Sequence, residues 1–211
     1  MGIEKKIYFF GQTPIVGVDH IPLQNTKYID PNCKLTSYDF IIITSKRAIK
    51  AMQSFGYDFG LIQLFCIGEK TAAFAREVGL NVVHVSQGYA KDLITEIKPK
   101  IEGQKGLYLR PKTVANSYIT DEVNKGDLDQ AICYETLCVE KTEKIITHPA
   151  IFLFAAPSQV ACFMKHFSFE EDDRAVAIGS TTFKTLSTLI PTSISDEPTL
   201  TSLYQKAEEL L

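Results

Sequence analysis

Two stretches roughly 111 residues apart constrain the fold of this chain more than any other feature. FCIGEKTAAFAREVGLNV (65–82) and VAIGSTTFKTLSTLIPTS (176–193) each pass from an apolar run to a glycine, then to a threonine three positions on, then into a helix-like pattern of equal length. An apolar run that breaks at glycine and resumes with 3.6-residue periodicity reads as a buried strand turning into a helix. The duplication reaches further back. IIITSKRAI (41–49) and LFAAPSQVA (153–161) make a similar strand-to-helix turn, and with Ser45 set against Ala156 the next glycine, Gly68 or Gly179, follows 23 positions on in both copies. So long a period, against about 20 to 50 residues for a solenoid, indicates one α/β unit built twice as two domains.

The rest of the chain alternates in the same way. Strands are expected at KIYFF (6–10), DFIII (39–43), LIQLFCI (61–67), NVVHV (81–85), GLYLR (106–110), QAICYE (130–135), AIFLFA (150–155) and RAVAI (174–178). Helices are expected over 46–55, 69–78, 89–101, 113–125, 157–167, 180–189 and 199–210, with Ser45, Ser180 and Thr199 placed to cap free amides and Gly56 and Gly79 placed to end helices. So many strands in 211 residues divide better into two parallel sheets than one. The second copy has fewer strands of its own, so the first strand, KIYFF, completes it. Residues 23–138 then form an inserted domain, and 1–22 with 139–211 form the other. The chain crosses twice, near IPLQNTK and near TLCVEKT, which makes a hinge rather than a free tether.

Composition narrows the function classes. A net charge of -3 with scattered Lys and Arg gives no electrostatic footprint for nucleic acid. Apolar runs such as AIFLFAA fall well short of the roughly 18 residues of a spanning helix, and MGIEKKIYFF lacks a secretory h-region, so no membrane role and a cytoplasmic location are expected. Five cysteines without a C-x-x-C pair, namely Cys33, Cys66, Cys133, Cys138 and Cys162, read as small buried hydrophobes rather than a disulfide framework or a zinc knuckle. Cys162 and His166 stand at i,i+4, but nothing supplies the remaining ligands of a metal site.

Four strand-to-helix turns carry small hydroxylated residues: Thr44 and Ser45, Gly68 to Thr71, Ala156 to Ser158, and Gly179 to Thr182. In an open parallel sheet such turns lie at the carboxyl ends of the strands, where ligands bind. Free helix amides there suit carboxylates or phosphates, although Ser and Thr at these positions also serve simply as caps. Lys46, Arg47, Lys70 and Arg110 would add positive charge to an anion cleft, or lie solvated at the surface. Tyr134, at the end of a strand beside a crossing, reads either as a core tyrosine or as a functional hydroxyl. The chain contains neither G-x-G-x-x-G nor a phosphate loop nor a G-x-S-x-G elbow, and its four histidines show no triad spacing, which disfavours nucleotides and serine hydrolysis.

The order and spacing of DFIIITSKRAIKAM, CIGEKTAAFAREVGLNV, GLYLRPKTVANSYITDEVNKGDLDQAICYET, IFLFAAPSQVACFM, AVAIGSTTFKTL and SDEPTLTSL resemble the uroporphyrinogen-III synthase family over nearly the whole chain. The resemblance implies two flavodoxin-like or Rossmann-like parallel-sheet domains joined by a two-stranded β-ladder, with the second domain inserted in the first. It implies a cofactor-free lyase acting on hydroxymethylbilane, a linear tetrapyrrole with eight carboxylates, and a monomer is expected because the sequence shows no apolar seam that requires a partner. Such an enzyme removes the hydroxyl as water, inverts ring D through a spiro intermediate and closes the macrocycle as uroporphyrinogen III. Matched motif by motif, Thr44 and Ser45 fall on the family's Thr-Ser turn, and Gly68 and Thr71, flanking Lys70, on its Gly-x-x-Thr. Ser158 falls on its second Pro-Ser, Thr181 and Thr182 after Gly179 on its paired threonines, and Tyr134 on the tyrosine before the crossing, which makes it the best candidate to help the hydroxyl depart, as a proton donor or through a bound water. Arg110 is expected to join them in binding substrate. Two departures stand out: only GQTPIVG separates KIYFF from VDHIP, where the family has a full helix, and Ala155 and Ala156 occupy a turn that often carries Ser. A non-catalytic two-lobed module that binds a tetrapyrrole or another anion on the same fold is the alternative reading.

Overall fold

The computed structural model describes residues 5–87, 90–114, 118–123 and 128–211. In chain order its elements are β1 (Lys6–Phe9), β2 (Asp19–His20), β3 (Gln24–Tyr28), β4 (Phe40–Ile43), α1 (Lys46–Ser54), β5 (Gln63–Ile67), α2 (Glu69–Glu77), β6 (Val82–Ser86), α3 (Ala90–Ile97), β7 (Gly106–Pro111), α4 (Tyr118–Val123), β8 (Leu128–Cys138), β9 (Ala150–Phe154), α5 (Pro157–Phe163), β10 (Arg174–Ala177), α6 (Ser180–Leu186), β11 (Thr192–Ile194) and α7 (Leu200–Glu208). They divide into two compact units, Met1–Asn25 with Leu137–Leu211, and Thr26–Thr136. The chain passes from one to the other within β3 and within β8, which are neighbours at one edge of the second sheet, so the two-stranded ladder is this pair.

The discontinuous unit is built on a sheet of order β11-β10-β9-β1-β2, its pairs parallel. Alternation along β1 and β9 sorts its core into two faces. Tyr8, Phe152 and Phe154, with Phe10 just past β1, point to the side covered by α5 and α6, where Phe163 stacks on Phe169 at 4.7 Å between centroids. Ile7, Phe9, Ile151 and Leu153 point to the other, against Leu203 and Ala207 of α7. At the amino ends of β9 and β10 the fully buried Asp173 accepts from the amides of Ala150 (2.8 Å) and Glu170 (2.7 Å) and holds His148 Nδ1 at 2.8 Å.

The inserted unit has six strands in the order β3-β8-β7-β4-β5-β6, with β8 through β6 paired in parallel. Ile41, Ile43, Leu107 and Leu109 face α1 and α2, while Phe40, Ile42, Phe65 and Tyr108 face α3 and α4. Gly106 is required where β7 passes the ring of Phe40, because a Cβ there would overlap it and approach Leu128 Cδ1 to 2.8 Å.

Several expectations change. The cysteines are not all isolated hydrophobes: Cys138, the last residue of β8, is bonded to Cys162 on α5, their Cα atoms 5.3 Å apart, while Cys33, Cys66 and Cys133 are free. A bond across 24 residues depends on β8 leaving its sheet beside α5, which spacing alone does not reveal. His166 Nε2 donates to the Val139 carbonyl (2.9 Å) instead of joining Cys162 at a metal. Ser45 and Thr199 cap α1 and α7 through Arg47 N and Ser202 N, but α6 is capped by Gly179, with Ser180 its first residue. The helix expected over 89–101 gives way at Lys98 to a 3-10 turn containing Pro99, consistent with the helix-breaking effect of proline. Of the helix expected over 113–125, Tyr118–Val123 is helical, while 115–117 and 124–127, like residue 89, lie outside the described residues.

Candidate active site

In the inserted unit the carboxyl ends of β4, β5 and β7 carry Thr44, Ser45, Gly68, Lys70, Thr71 and Arg110, and Tyr134, which lies within β8 rather than at its end, pairs with Pro111 at the end of β7. The carboxyl ends of β9 and β10 in the discontinuous unit carry Ser158, Gly179, Thr181 and Thr182. The residues on the strand-to-helix turns are placed by one rule: a parallel strand must end before its helix begins, and the connecting turn exposes the helix's first amides.

Ser45 is the best defined of these turns. Its backbone is extended (φ -155°, ψ 138°), and its Oγ accepts from Arg47 N at 3.2 Å. The same hydroxyl hydrogen-bonds the hydroxyl of Tyr134, a side chain only 5% exposed. Burial pushes the Tyr134 phenol above its ordinary value, while Ser45 and the charge of Arg47 pull the other way. The net effect keeps it protonated, as a proton donor must be. Its own carbonyl accepts from Lys112 N at 2.8 Å, which fixes the strand on which the phenol stands.

Gly68 begins α2 with φ +78°, a left-handed conformation that disfavours a side chain, and leaves the first amides without a side-chain cap. Thr71 is buried one turn on, its amide bonded to the Gly68 carbonyl at 3.0 Å, and Lys70 is exposed. Arg110 curls back on its strand end, with Nη1 donating to the carbonyls of Pro111 (2.9 Å) and Lys112 (3.2 Å), while its buried Nε finds no acceptor. The interior below is thiol-rich but inert: burial pushes Cys66 up to about 11 and Cys133 up to about 12.

In the discontinuous unit Gly179 is fully extended, and Thr182 is buried while Thr181 is exposed. The Ala155-Ala156 turn gains a partner that the sequence does not advertise. The buried Gln159 side chain accepts from Ala155 N at 2.7 Å, satisfying an amide that a ligand would otherwise meet, and Ser158 stays exposed. Tyr108, within β7, and Ser86, at the end of β6, also stand near these strand ends without a motif in the sequence to mark them. The only sequence signal for Tyr108 is its i,i+2 relation to Arg110, which puts both on one face of β7.

The sequence over residues 14–205 matches the family model described as uroporphyrinogen-III synthase HemD. A search of curated proteins finds no match. Among solved structures the chain is similar to uroporphyrinogen-III synthetase from Helicobacter pylori 26695, with TM-score 0.86 and 24% identity over 99% of this chain and 100% of that one. A lower similarity, TM-score 0.45 and 16% identity, links it to uroporphyrinogen III synthase of Thermus thermophilus over 98% of this chain and 99% of that one. The Helicobacter likeness shows the two-sheet α/β fold, and the family match covers the turns that carry Ser45, Gly68, Tyr134, Ser158 and Gly179. This chain belongs to the uroporphyrinogen-III synthase family, the cyclizing hydro-lyases of tetrapyrrole biosynthesis.

Proposed function

We propose that this chain converts hydroxymethylbilane to uroporphyrinogen III, with Tyr134 as the group that assists departure of the hydroxyl. The observation that carries the assignment of roles is the Tyr134–Ser45 contact: a buried, protonated phenol bonded to the cap of α1 at the carboxyl edge of a parallel sheet. Its proton passes to the departing hydroxyl, directly or through a water, and the C–O bond breaks to give water, an azafulvenium cation and the Tyr134 phenolate. Ring D then attacks, inverts through the spiro intermediate and, as the macrocycle closes, releases a ring proton that restores the phenol, so the net change is loss of one water.

The bilane cyclises readily without inversion, so the protein's main task is to hold one geometry. Thr44, Ser45, Gly68, Lys70, Thr71 and Arg110 take substrate carboxylates from the inserted unit, and Ser158, Gly179, Thr181 and Thr182 from the other. Main-chain amides at helix starts bind anions without net positive charge, which reconciles a polyanionic substrate with a chain of charge -3. Among the described residues no helix is long and apolar enough to cross a membrane. We further assign the chain as a monomer acting in the cytoplasm with no nucleic-acid partner, a state that sedimentation of the purified protein checks.

The test couples the protein to porphobilinogen and a hydroxymethylbilane-forming enzyme and reads the ratio of III to I isomer after oxidation. Predominance of isomer III supports the assignment. Isomer I alone, with tight binding of uroporphyrin, would leave a binding module on this fold.

A further inference from the structure

Within the inserted unit, the helix starts and Tyr134 stand on the α1/α2 side of the sheet. The opposite side carries a second polar row at the same strand ends. Tyr108 shares its face with Phe40, Ile42 and Phe65, so Arg110, two residues on, points the same way. Thr44 follows Ile42 on that face, and its Oγ1 lies 3.5 Å from the Tyr108 hydroxyl. Ser86 pairs with Ile67, which packs in the same cluster, and so falls on this side too. Across the strand order β7-β4-β5-β6, the row runs from Arg110 through Thr44 and Ile67 to Ser86. Its ends are three strands apart, roughly 14 Å.

Two facts mark this row as incomplete by itself. Only two buried side-chain polar atoms among the described residues find no hydrogen-bond partner, Arg110 Nε and Ser86 Oγ, and they stand at its two ends. Arg110 also has no carboxylate partner among the described residues; its guanidinium meets only two backbone carbonyls and acts electrostatically on the Tyr108 hydroxyl. Burial pushes the Tyr108 phenol up, so it stays a donor at neutral pH. A guanidinium whose only partners are neutral carbonyls, a phenol and two hydroxyls form a set that lacks anionic acceptors.

We propose that Arg110, Tyr108, Thr44 and Ser86 form a second carboxylate-binding strip, on the α3/α4 face of the inserted unit's sheet, that positions acidic side chains of the tetrapyrrole. It rests on the synthase reading, and adds Tyr108 and Ser86 as positioning residues apart from the helix starts. The strip spans too far for one carboxylate, so it engages at least two, which fits a substrate carrying several along its length. Holding two neighbouring groups on one flank also restricts rotation of the pyrrole that bears them.

Arg110→Gln, Tyr108→Phe and Ser86→Ala separate this role from a structural one. The synthase assay is expected to show KM about tenfold higher in R110Q and about three- to fivefold higher in Y108F and S86A, with kcat near wild type. The melting temperature of S86A should hold or rise, because the serine hydroxyl it removes satisfies nothing in the fold. Unchanged KM in Y108F and S86A, with an active wild type, overturns the strip whatever happens to the folding of R110Q. If the wild type yields only isomer I, the synthase reading fails. Titration with uroporphyrin then decides the strip alone: affinity lowered in Y108F and S86A supports it, and equal affinity overturns it.

Discussion

Replacing Tyr134 by phenylalanine removes one oxygen from a side chain that is 5% exposed and hydrogen-bonded to Ser45. Two consequences of different size follow. The fold loses one buried hydrogen bond, but Ser45 Oγ keeps its bond from Arg47 N, so no buried group is stranded and the cost is about 1 kcal/mol. For a unit of this size that lowers the melting temperature by about 4 °C. The reaction loses its proton donor. General acids contribute about 10²- to 10⁴-fold, and a hydroxyl that leaves readily places this case near the lower end. A fall of about 100-fold in kcat, equivalent to about 2.7 kcal/mol in the barrier, is therefore expected with KM little changed. The pH profile adds an independent reading: since burial raises the Tyr134 phenol, the alkaline limb of kcat in the wild type should lie above the ordinary tyrosine value of about 10. Purified Y134F with a native circular-dichroism spectrum is assayed for total porphyrinogen and for isomer ratio. If it retains wild-type kcat, the donor is another group and the Tyr134–Ser45 pair is only structural.

Three further outcomes bear on the fold. Cys138→Ser with Cys162→Ser opens a bridge across 24 residues and should cost about 3 kcal/mol in thermal unfolding under oxidising conditions, while dithiothreitol should lower wild-type stability and leave the double variant unaffected. Asp173→Ala strands two amides and His148 at the base of β9 and β10, and a loss of about 3 kcal/mol or more is expected in urea titrations; a loss under 1 kcal/mol would show that water replaces the carboxylate. Cys66 and Cys133 titrate at about 11 and about 12 in the fold, above their ordinary 9.0, so the unfolded chain releases their protons first. Their contribution to stability is whole below pH 9 and is lost as pH climbs through 9 toward 12, so unfolding free energies measured from pH 8 to 11 should fall, and fall less in Cys66→Ala with Cys133→Ala.

The elements that sequence reading placed well are those whose local pattern and burial agree. β4, β9 and β10 are continuous apolar runs because parallel strands are covered on both faces, and α1 and α7 carry their caps in the preceding residue. The turns bearing Ser45, Gly68 and Gly179 were legible for the same reason, since a strand-to-helix turn is a local event. β3 and β11 were not: QNTKY and TSI are short and mostly polar, and become strands only because a neighbour offers its edge. Likewise the Cys138–Cys162 bond, the Gln159 side chain bonded at Ala155 N, the Tyr134–Ser45 contact and the row from Arg110 to Ser86 join residues distant in the chain. Periodicity and composition determined that this protein is two parallel-sheet units with polar strand ends. Only the tertiary structure decided which hydroxyls meet, which amides are already satisfied and which buried donors still lack an acceptor, because each depends on how separate strands are set in register.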